Sequence, residues 1–280
     1  MIAVLPRLHA VTDDRVLAQG NLVPRAIAMA EAAGDALAVH LRSRTLEGAT
    51  FLALARELGD ALKPHGSWLV INGRADVARA AHAHAVVSGR GGLSVADIKR
   101  VAPAVLVARS VHDESELRAA TAEGADLVVV STGWAYTDGR RQTADGRQDP
   151  AFFSPPSAVR RLPSIAIGAI TPERVSDLLA RGAWGIAAIR ALWDAADPAT
   201  AVRAFLTRLP KNETVRVVIN GETRRARRGI TLAGLLADLG LDARAVVVEH
   251  NRGIVRQGAL AATAVAEDDA IELVHFVGGG

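Results

Sequence analysis

Three kinds of residue in this 280-residue chain could do chemistry. The first is the chain end, where Val274-His275-Phe276-Val277 runs into Gly278-Gly279-Gly280. Glycine has no Cβ, so such a tail can thread a channel that any side chain would block and deliver the Gly280 carboxylate to another protein's active site. A frayed end is the alternative. The second kind is histidine. His40 and Arg42 fall on one strand face by the period of two, and His112 follows an apolar run. A histidine near its free pKa suits proton transfer; a packed His40 and a solvated His112 are the plainer readings. The third kind is small: Gly168-Ala169 and Ala187-Ala188 would let backbone N–H groups approach a phosphate, or would simply pack tightly at strand ends.

These residues need a scaffold, and the chain supplies a regular one. Apolar runs of strand length recur at Leu8 to Thr12, Leu37 to Leu41, Trp68 to Ile71, Ala85 to Ser88, Val105 to Ala108, Leu127 to Val130, Ser164 to Ile167 and Gly185 to Ile189. Amphipathic stretches such as Val23 to Ala33, Phe51 to Leu62 and Pro198 to Leu209 lie between them. Such alternation implies parallel strands with crossover helices, and eight units in about 205 residues suit a small (β/α)8 TIM barrel. A doubly wound open sheet is the other arrangement of this pattern, although no G-x-G-x-x-G follows the first strand. In a barrel, His112, Gly168-Ala169, Ala187-Ala188 and the long Thr132 to Pro156 connection all fall at the C-terminal face, where function resides.

The pattern breaks at Leu209-Pro210-Lys211-Asn212-Glu213, which sets expected domains of 1–208 and 214–280 with residues 209–213 as linker. Beyond it, Asn220-Gly221 between Val215 to Ile219 and Glu222 to Ala226 reads as a hairpin with a type I′ turn. Thr231 can cap a helix through Leu239, and strands follow at Ala245 to Glu249 and Ile271 to Val277. Strand, strand, helix, strand, strand is the order of a small α+β ubiquitin-like β-grasp domain. The expected fold is therefore an α/β barrel followed by a β-grasp.

Composition narrows the function. The chain has no cysteine, which removes disulfides, thiolate metal sites and cysteine nucleophiles and suits a cytoplasmic setting. No apolar run approaches the ~20 residues of a membrane span, and no export signal or membrane association is expected. The net charge is only +3, with lysine confined to Lys63, Lys99 and Lys211. The run Arg224-Arg225-Ala226-Arg227-Arg228 is basic but lacks neighbouring aromatic residues for base stacking, so no nucleic-acid partner is expected.

Val218-Ile219-Asn220-Gly221-Glu222, Thr231-Leu232-Ala233-Gly234-Leu235-Leu236, Val246-Val247-Val248-Glu249-His250-Asn251 and Glu267 through Gly280 together resemble the ThiS sulfur carriers of thiamine biosynthesis. The resemblance implies that an activating enzyme of the ThiF type adenylates the Gly280 carboxylate with ATP and that it becomes a thiocarboxylate. A thiazole synthase of the ThiG type would receive the sulfur. The chemistry suits the residues: an acyl adenylate supplies the leaving group that a carboxylate lacks, and glycine offers the least hindered carbonyl. The molybdopterin sulfur carrier shares this fold and tail and stays open as an alternative.

The first domain resembles the thiamine phosphate synthase and TenI superfamily. The resemblance is carried by Leu8-His9-Ala10-Val11-Thr12-Asp13, Val39-His40-Leu41-Arg42-Ser43-Arg44, Ile71-Asn72-Gly73-Arg74, Ala108-Arg109-Ser110-Val111-His112, Gly124-Ala125-Asp126-Leu127, Ile165 to Ile170 and Gly185 to Ile189. It implies a thiazole phosphate-type ligand; the expected binding residues are Arg42, Asn72, Arg109, Trp134, Gly168, Ala169, Ala187 and Ala188, with His40 and His112 as the catalytic candidates. Gly73 and Gly92 stand where the synthases place magnesium-binding carboxylates, and Thr137-Asp138-Gly139-Arg140 replaces the family's Thr-Lys loop. No metal and no intrinsic cofactor is expected on that basis. TenI-type thiazole tautomerisation needs only a proton shuttle, but Trp134 stands where that branch has its histidine. The alternatives are a catalytically inactive scaffold, or a residual synthase with Asp13 or Asp138 as metal ligands. No lysine falls on an expected strand, so a Schiff-base thiazole synthase is set aside.

Overall fold

A computed structural model describes residues 5–132, 162–210, 214–227, 229–239 and 241–275. The chain divides into two compact units, one spanning Pro6–Pro210 and a second that includes everything from residue 211 onward.

Eight strands of the first unit form a closed barrel: β1 (Leu8–Val11), β2 (Leu37–Leu41), β3 (Trp68–Asn72), β4 (Ala85–Ser88), β5 (Leu106–Val111), β6 (Leu127–Ser131), β7 (Ser164–Ile167) and β8 (Gly185–Ala188). Every neighbouring pair is parallel, and β8 closes on β1 through Leu8 opposite Ile186 and Ala10 opposite Ala188. Burial on both faces explains the unbroken apolar runs: β2 reads Leu-Ala-Val-His-Leu with every residue buried. Closure also requires Gly185, because a Cβ there would lie 2.5 Å from the Arg7 carbonyl oxygen.

Helices α1 (Asp14–Leu17), α2 (Leu22–Ala33), α3 (Gly48–Leu62), α4 (Ala75–Ala80), α5 (Val95–Val101), α6 (Glu114–Ala122), α7 (Val175–Ala180), α8 (Arg190–Trp193) and α9 (Pro198–Leu206) accompany the strands. Asp13, Ser94, Asp113 and Asp197 cap the starts of α1, α5, α6 and α9 with side-chain oxygens, satisfying backbone N–H groups that have no intrahelical partner. Alternate strand residues such as Val39 and Leu41 join Leu58 and Leu62 of α3 in the core between barrel wall and helices. Each such leucine contributes roughly 1.5–3 kcal/mol by leaving water. The short helices α1 and α8 escape sequence reading because four residues cannot show a helical period.

The second unit has strands β9 (Thr214–Ile219), β10 (Glu222–Arg227), β11 (Val246–His250), β12 (Gly253–Val255) and β13 (Asp269–His275), with α10 (Leu232–Asp238) after the hairpin. Sheet order is β10-β9-β13-β11-β12, with β13 parallel to β9 and the other pairs antiparallel. This is a β-grasp. Val217, Ile219, Val248, Ile271 and Leu273 pack with Leu232, Leu235 and Leu236 of α10. Asn220 and Gly221 both take positive φ, 49° and 78°, as the two-residue turn requires. Sequence reading missed β12, whose three residues include a glycine and stay largely exposed.

Candidate functional site

Among the described residues, the C-terminal ends of the barrel strands line a cavity of about 270 Å³ formed by Asp13, residues 167–170 and residues 187–191. Gly168, Ala169, Ala187 and Ala188, proposed from sequence, are thus brought together after β7 and β8. Their small side chains leave backbone exposed to an occupant; Arg190 adds a cation to the lining and Asp13 a carboxylate. The loop after β7 is held in an unusual shape. Gly168 has φ 127° and Ala169 φ 42°, a left-handed conformation uncommon for a residue with a Cβ. Thr132 at the end of β6 donates its hydroxyl to the Gly168 carbonyl, and Arg174 donates to the Ala169 carbonyl.

The loop after β2 is organised by a residue that sequence reading passed over. The Asp14 carboxylate accepts hydrogen bonds from the Ser43 hydroxyl at 2.6 Å, the Arg44 amide at 3.0 Å and the Thr45 hydroxyl at 3.0 Å. These bonds, led by Ser43, hold its pKa down to about 2. Arg42, just beyond β2, is fixed through its backbone: its amide donates to Thr12 Oγ1, and Thr12 Oγ1 donates to its carbonyl.

His112 follows β5 directly and is partly exposed, with Nδ1 3.0 Å from Glu116 Oε2. Burial pushes the Glu116 carboxyl up, but hydrogen bonds from Arg90 and His112 outweigh it, so the net shift is downward and the group is ionised at neutral pH. A carboxylate only accepts, so Nδ1 carries a proton and Nε2 is the ring nitrogen not engaged by Glu116. Arg90 Nε holds the other carboxylate oxygen at 2.8 Å. Glu116 is an orienting partner that sequence reading missed, although its position four residues on was the available signal.

His40 lies inside the barrel. It is 3% exposed and bonded to His9 rather than presented on the surface. Asn72, the last residue of β3, is half-buried beside it. Arg109 corrects the sequence reading. It shares the outward face of β5 with Val107 and Val111, which join the helix-packed core, and its guanidinium is tied to Ser88 Oγ at 2.9 Å, the Leu93 carbonyl and Glu123. Strand alternation therefore turns it away from the barrel interior. Trp134 and Asp138 lie outside the described residues. Lys63 begins a 3-10 turn and Lys99 sits on α5, both off the strands.

In the second unit, β13 leads toward the glycine tail and is anchored by two asparagines. Asn220 Oδ1 accepts from the Leu273 amide at 2.7 Å, and its Nδ2 donates to the Leu273 carbonyl. Asn251 Oδ1 accepts from the Ala270 amide at 2.9 Å, and its Nδ2 donates to Asp269. His250 Nε2 lies 2.6 Å from the same carboxylate. Burial raises the Asp269 pKa, but the bonds from Ala266 N–H, Asn251 and His250 turn the net shift downward. Gly280 itself lies outside the described residues.

The family model described as thiamine monophosphate synthase matches residues 8–192. The chain belongs to the thiamine monophosphate synthase family. The ThiS family model matches residues 212–280, so this synthase-family barrel is joined in one chain to a ThiS sulfur-carrier domain. Among relatives of the family, the thiamine-phosphate synthase of Methanoculleus marisnigri is 33% identical over 203 residues, covering 72% of this chain and 94% of that one. The thiamine-phosphate synthase of Chlorobium luteolum is 32% identical over 202 residues, covering 72% and 92%. The solved structure of thiamine phosphate pyrophosphorylase from Pyrococcus furiosus superposes with a TM-score of 0.60 at 21% identity, covering 72% of this chain and 94% of that one, a likeness of fold. Among the described residues, no helix is long and apolar enough to cross a membrane.

Proposed function

We propose that this chain serves thiamine biosynthesis as a sulfur carrier fused to a barrel that binds a thiazole phosphate-type ligand. The observation that carries the reading is the union in one chain of a thiamine-family barrel with a ThiS-family domain whose match runs through Gly280. An activating enzyme of the ThiF type would transfer AMP from ATP to the Gly280 carboxylate with release of pyrophosphate. A sulfur donor would then displace AMP to leave a thiocarboxylate, and a thiazole synthase of the ThiG type would take the sulfur. The anchoring of β13 by Asn220 and Asn251 supports this role, since a fixed root presents the glycine tail to a partner at a defined point. Intact mass after incubation with such an activating enzyme, ATP and a sulfur source tests it: an oxygen-to-sulfur exchange at Gly280 is expected, and an unmodified terminus would sink the reading.

In the barrel, the cavity beside Gly168, Ala169, Ala187 and Ala188 would hold the phosphate through backbone N–H groups. His112, oriented by Glu116, would move the proton of a thiazole tautomerisation from its Nε2. Tautomerisation by the wild-type chain and its loss in His112→Ala are the expected results. Activity in neither this assay nor thiamine phosphate formation would favour an inactive scaffold.

A second reading, thiamine phosphate synthase, is favoured by the relatives of that activity at 32–33% identity. The residues do not fit the family's magnesium. Gly73 and Gly92 offer no oxygen ligand, and a Cβ at Gly92 would lie 2.6 Å from Ser88 Oγ. Among the described residues, no three His, Cys, Asp or Glu side chains cluster as a metal site. Mg²⁺-dependent formation of thiamine phosphate would establish this second reading.

A further inference from the structure

The cavity after β7 and β8 carries a charge that phosphate binding alone does not explain. Among its described lining residues only Arg190 and Asp13 bear charges, and the rest are glycine, alanine and isoleucine. One cation and one carboxylate leave the wall without net charge. A bare phosphate is attracted by cations and N–H groups, and a carboxylate in the same wall repels it.

Asp13 cannot swing away from the cavity, because the chain on both sides of it is fixed. The Thr12 amide donates to the His40 carbonyl at 3.0 Å, and Asp13 Oδ1 accepts from the Val16 amide at 2.9 Å as the cap of α1. Arg15 on the same helix is tied to Asp194, the residue that follows α8, with Nη2 2.5 Å from Oδ2. The segment carrying Asp13 is thereby joined to the segment carrying Arg190. Arg15 places its charge on Asp194, and among the described residues Asp13 forms no salt bridge of its own. Its Oδ2 accepts no hydrogen bond among them either, so one carboxylate oxygen is uncommitted at the cavity wall. A compact cavity of 270 Å³ is about 8 Å across, as a sphere of that volume is. A ligand whose phosphate meets the small residues after β7 and β8 therefore brings the atoms next to its ester close to Asp13.

We propose that Asp13 is a specificity-determining residue of this cavity: it selects a phosphate monoester that carries a hydrogen-bond donor or a positive charge on the carbons next to the ester, and rejects one that carries a second anion there. Oδ2 accepts from the donor, and the ligand's own positive charge balances its phosphate against a wall of no net charge. A second anion would gain no hydrogen bond and would meet the carboxylate directly. The selection rests on reading the cavity as the phosphate site.

Calorimetry on the full chain tests it with three esters that differ in one terminal group. Phosphoethanolamine ends in an ammonium, ethyl phosphate in a methyl and phosphoglycolate in a carboxylate. A chelator is present throughout, so that no divalent cation bridges Asp13 to the phosphate. Phosphoethanolamine should bind at least about tenfold more tightly than ethyl phosphate, as a hydrogen bond to a charged group provides, and phosphoglycolate more weakly than either. Asp13→Asn removes the charge and keeps an acceptor for the Val16 amide, since asparagine caps a helix as well as aspartate does. In this variant most of the preference should vanish and phosphoglycolate should bind more tightly than it does to the wild-type chain. Equal affinity of the three esters for the wild-type chain, or an order that survives Asp13→Asn, overturns the selection and leaves the phosphate reading in place. Binding of none of the three, nor of inorganic phosphate, removes the phosphate reading and the selection with it. Asp13→Ser, also a capping residue, repeats the test should Asp13→Asn fail to fold.

Discussion

The barrel and the carrier domain place their polar side chains differently: His9 and His40 are buried, whereas Asn220 and Asn251 are exposed. In the barrel, His9 and His40 come from two strands about thirty residues apart, and their rings bond to each other inside the barrel, with His9 also reaching the Pro6 carbonyl. In the carrier domain, Asn220 and Asn251 sit at tight turns with positive φ and reach directly to the backbone of the last strand. The first arrangement joins two strands across the barrel interior; the second fixes the last strand by its backbone. Bonds of the second kind form between neighbouring turns and one strand, whereas those of the first kind form only when the sheet assembles.

The sharpest way to break this comparison is at the tail. Removing Gly280 should abolish thiocarboxylate formation entirely, as read by intact mass, with the melting temperatures of both units unchanged. Acid should separate the units next. His9 has its pKa lowered from 6.5 to about 4, so below pH 6.5 the unfolded chain binds a proton that the folded barrel refuses. The barrel should therefore lose stability from pH 6.5 down to about 4, by about 3 kcal/mol from His9 alone, and gain nothing above pH 6.5. Denaturant unfolding at pH 7 and pH 4.5 measures this, and a barrel equally stable at both would refute the neutral histidine pair.

His112→Ala should reduce tautomerisation about a hundredfold while leaving unfolding of both units in place, as expected for a proton-transfer group on a loop. Asn251→Ala removes two bonds to β13 and puts a Cβ-bearing residue without a polar side chain at φ 50°. It should destabilise the carrier domain by about 2 kcal/mol and leave the barrel transition untouched, seen as one shifted transition of two in calorimetry. The smallest effect should come from Ala169→Gly. Relief of the left-handed φ of 42° should stabilise the barrel by up to about 1 kcal/mol, unless the flexibility gained in the unfolded chain cancels it.

Much of the architecture was legible from residue pattern. Strand runs such as Leu37–Leu41, Ala85–Ser88 and Ser164–Ile167 are apolar at every or nearly every position because parallel strands are covered on both faces, and the intervening helices keep a period of 3.6. The Asn220-Gly221 turn and the Thr231 cap are local, and the Thr231 side chain accepts from Gly234 N–H as its position suggests. Chain position was enough to place Gly168-Ala169 and Ala187-Ala188 after the last two strands, where they line one cavity wall together. Arg109 was misread because a motif position does not reveal which face a strand residue takes. His9, Asp14 and Glu116 were passed over because each acts through a partner on another element or another turn.

The sequence by itself determined the fold of both units and the terminal glycines, since periodicity, turn chemistry and chain position are local properties. Tertiary structure alone decided that His9 and His40 meet inside the barrel, and that Asp13 and Arg190 share a cavity with the small residues after β7 and β8. The reason is physical: such partners and pocket lining depend on groups far apart in the chain, brought together only when the strands pair and β8 closes on β1.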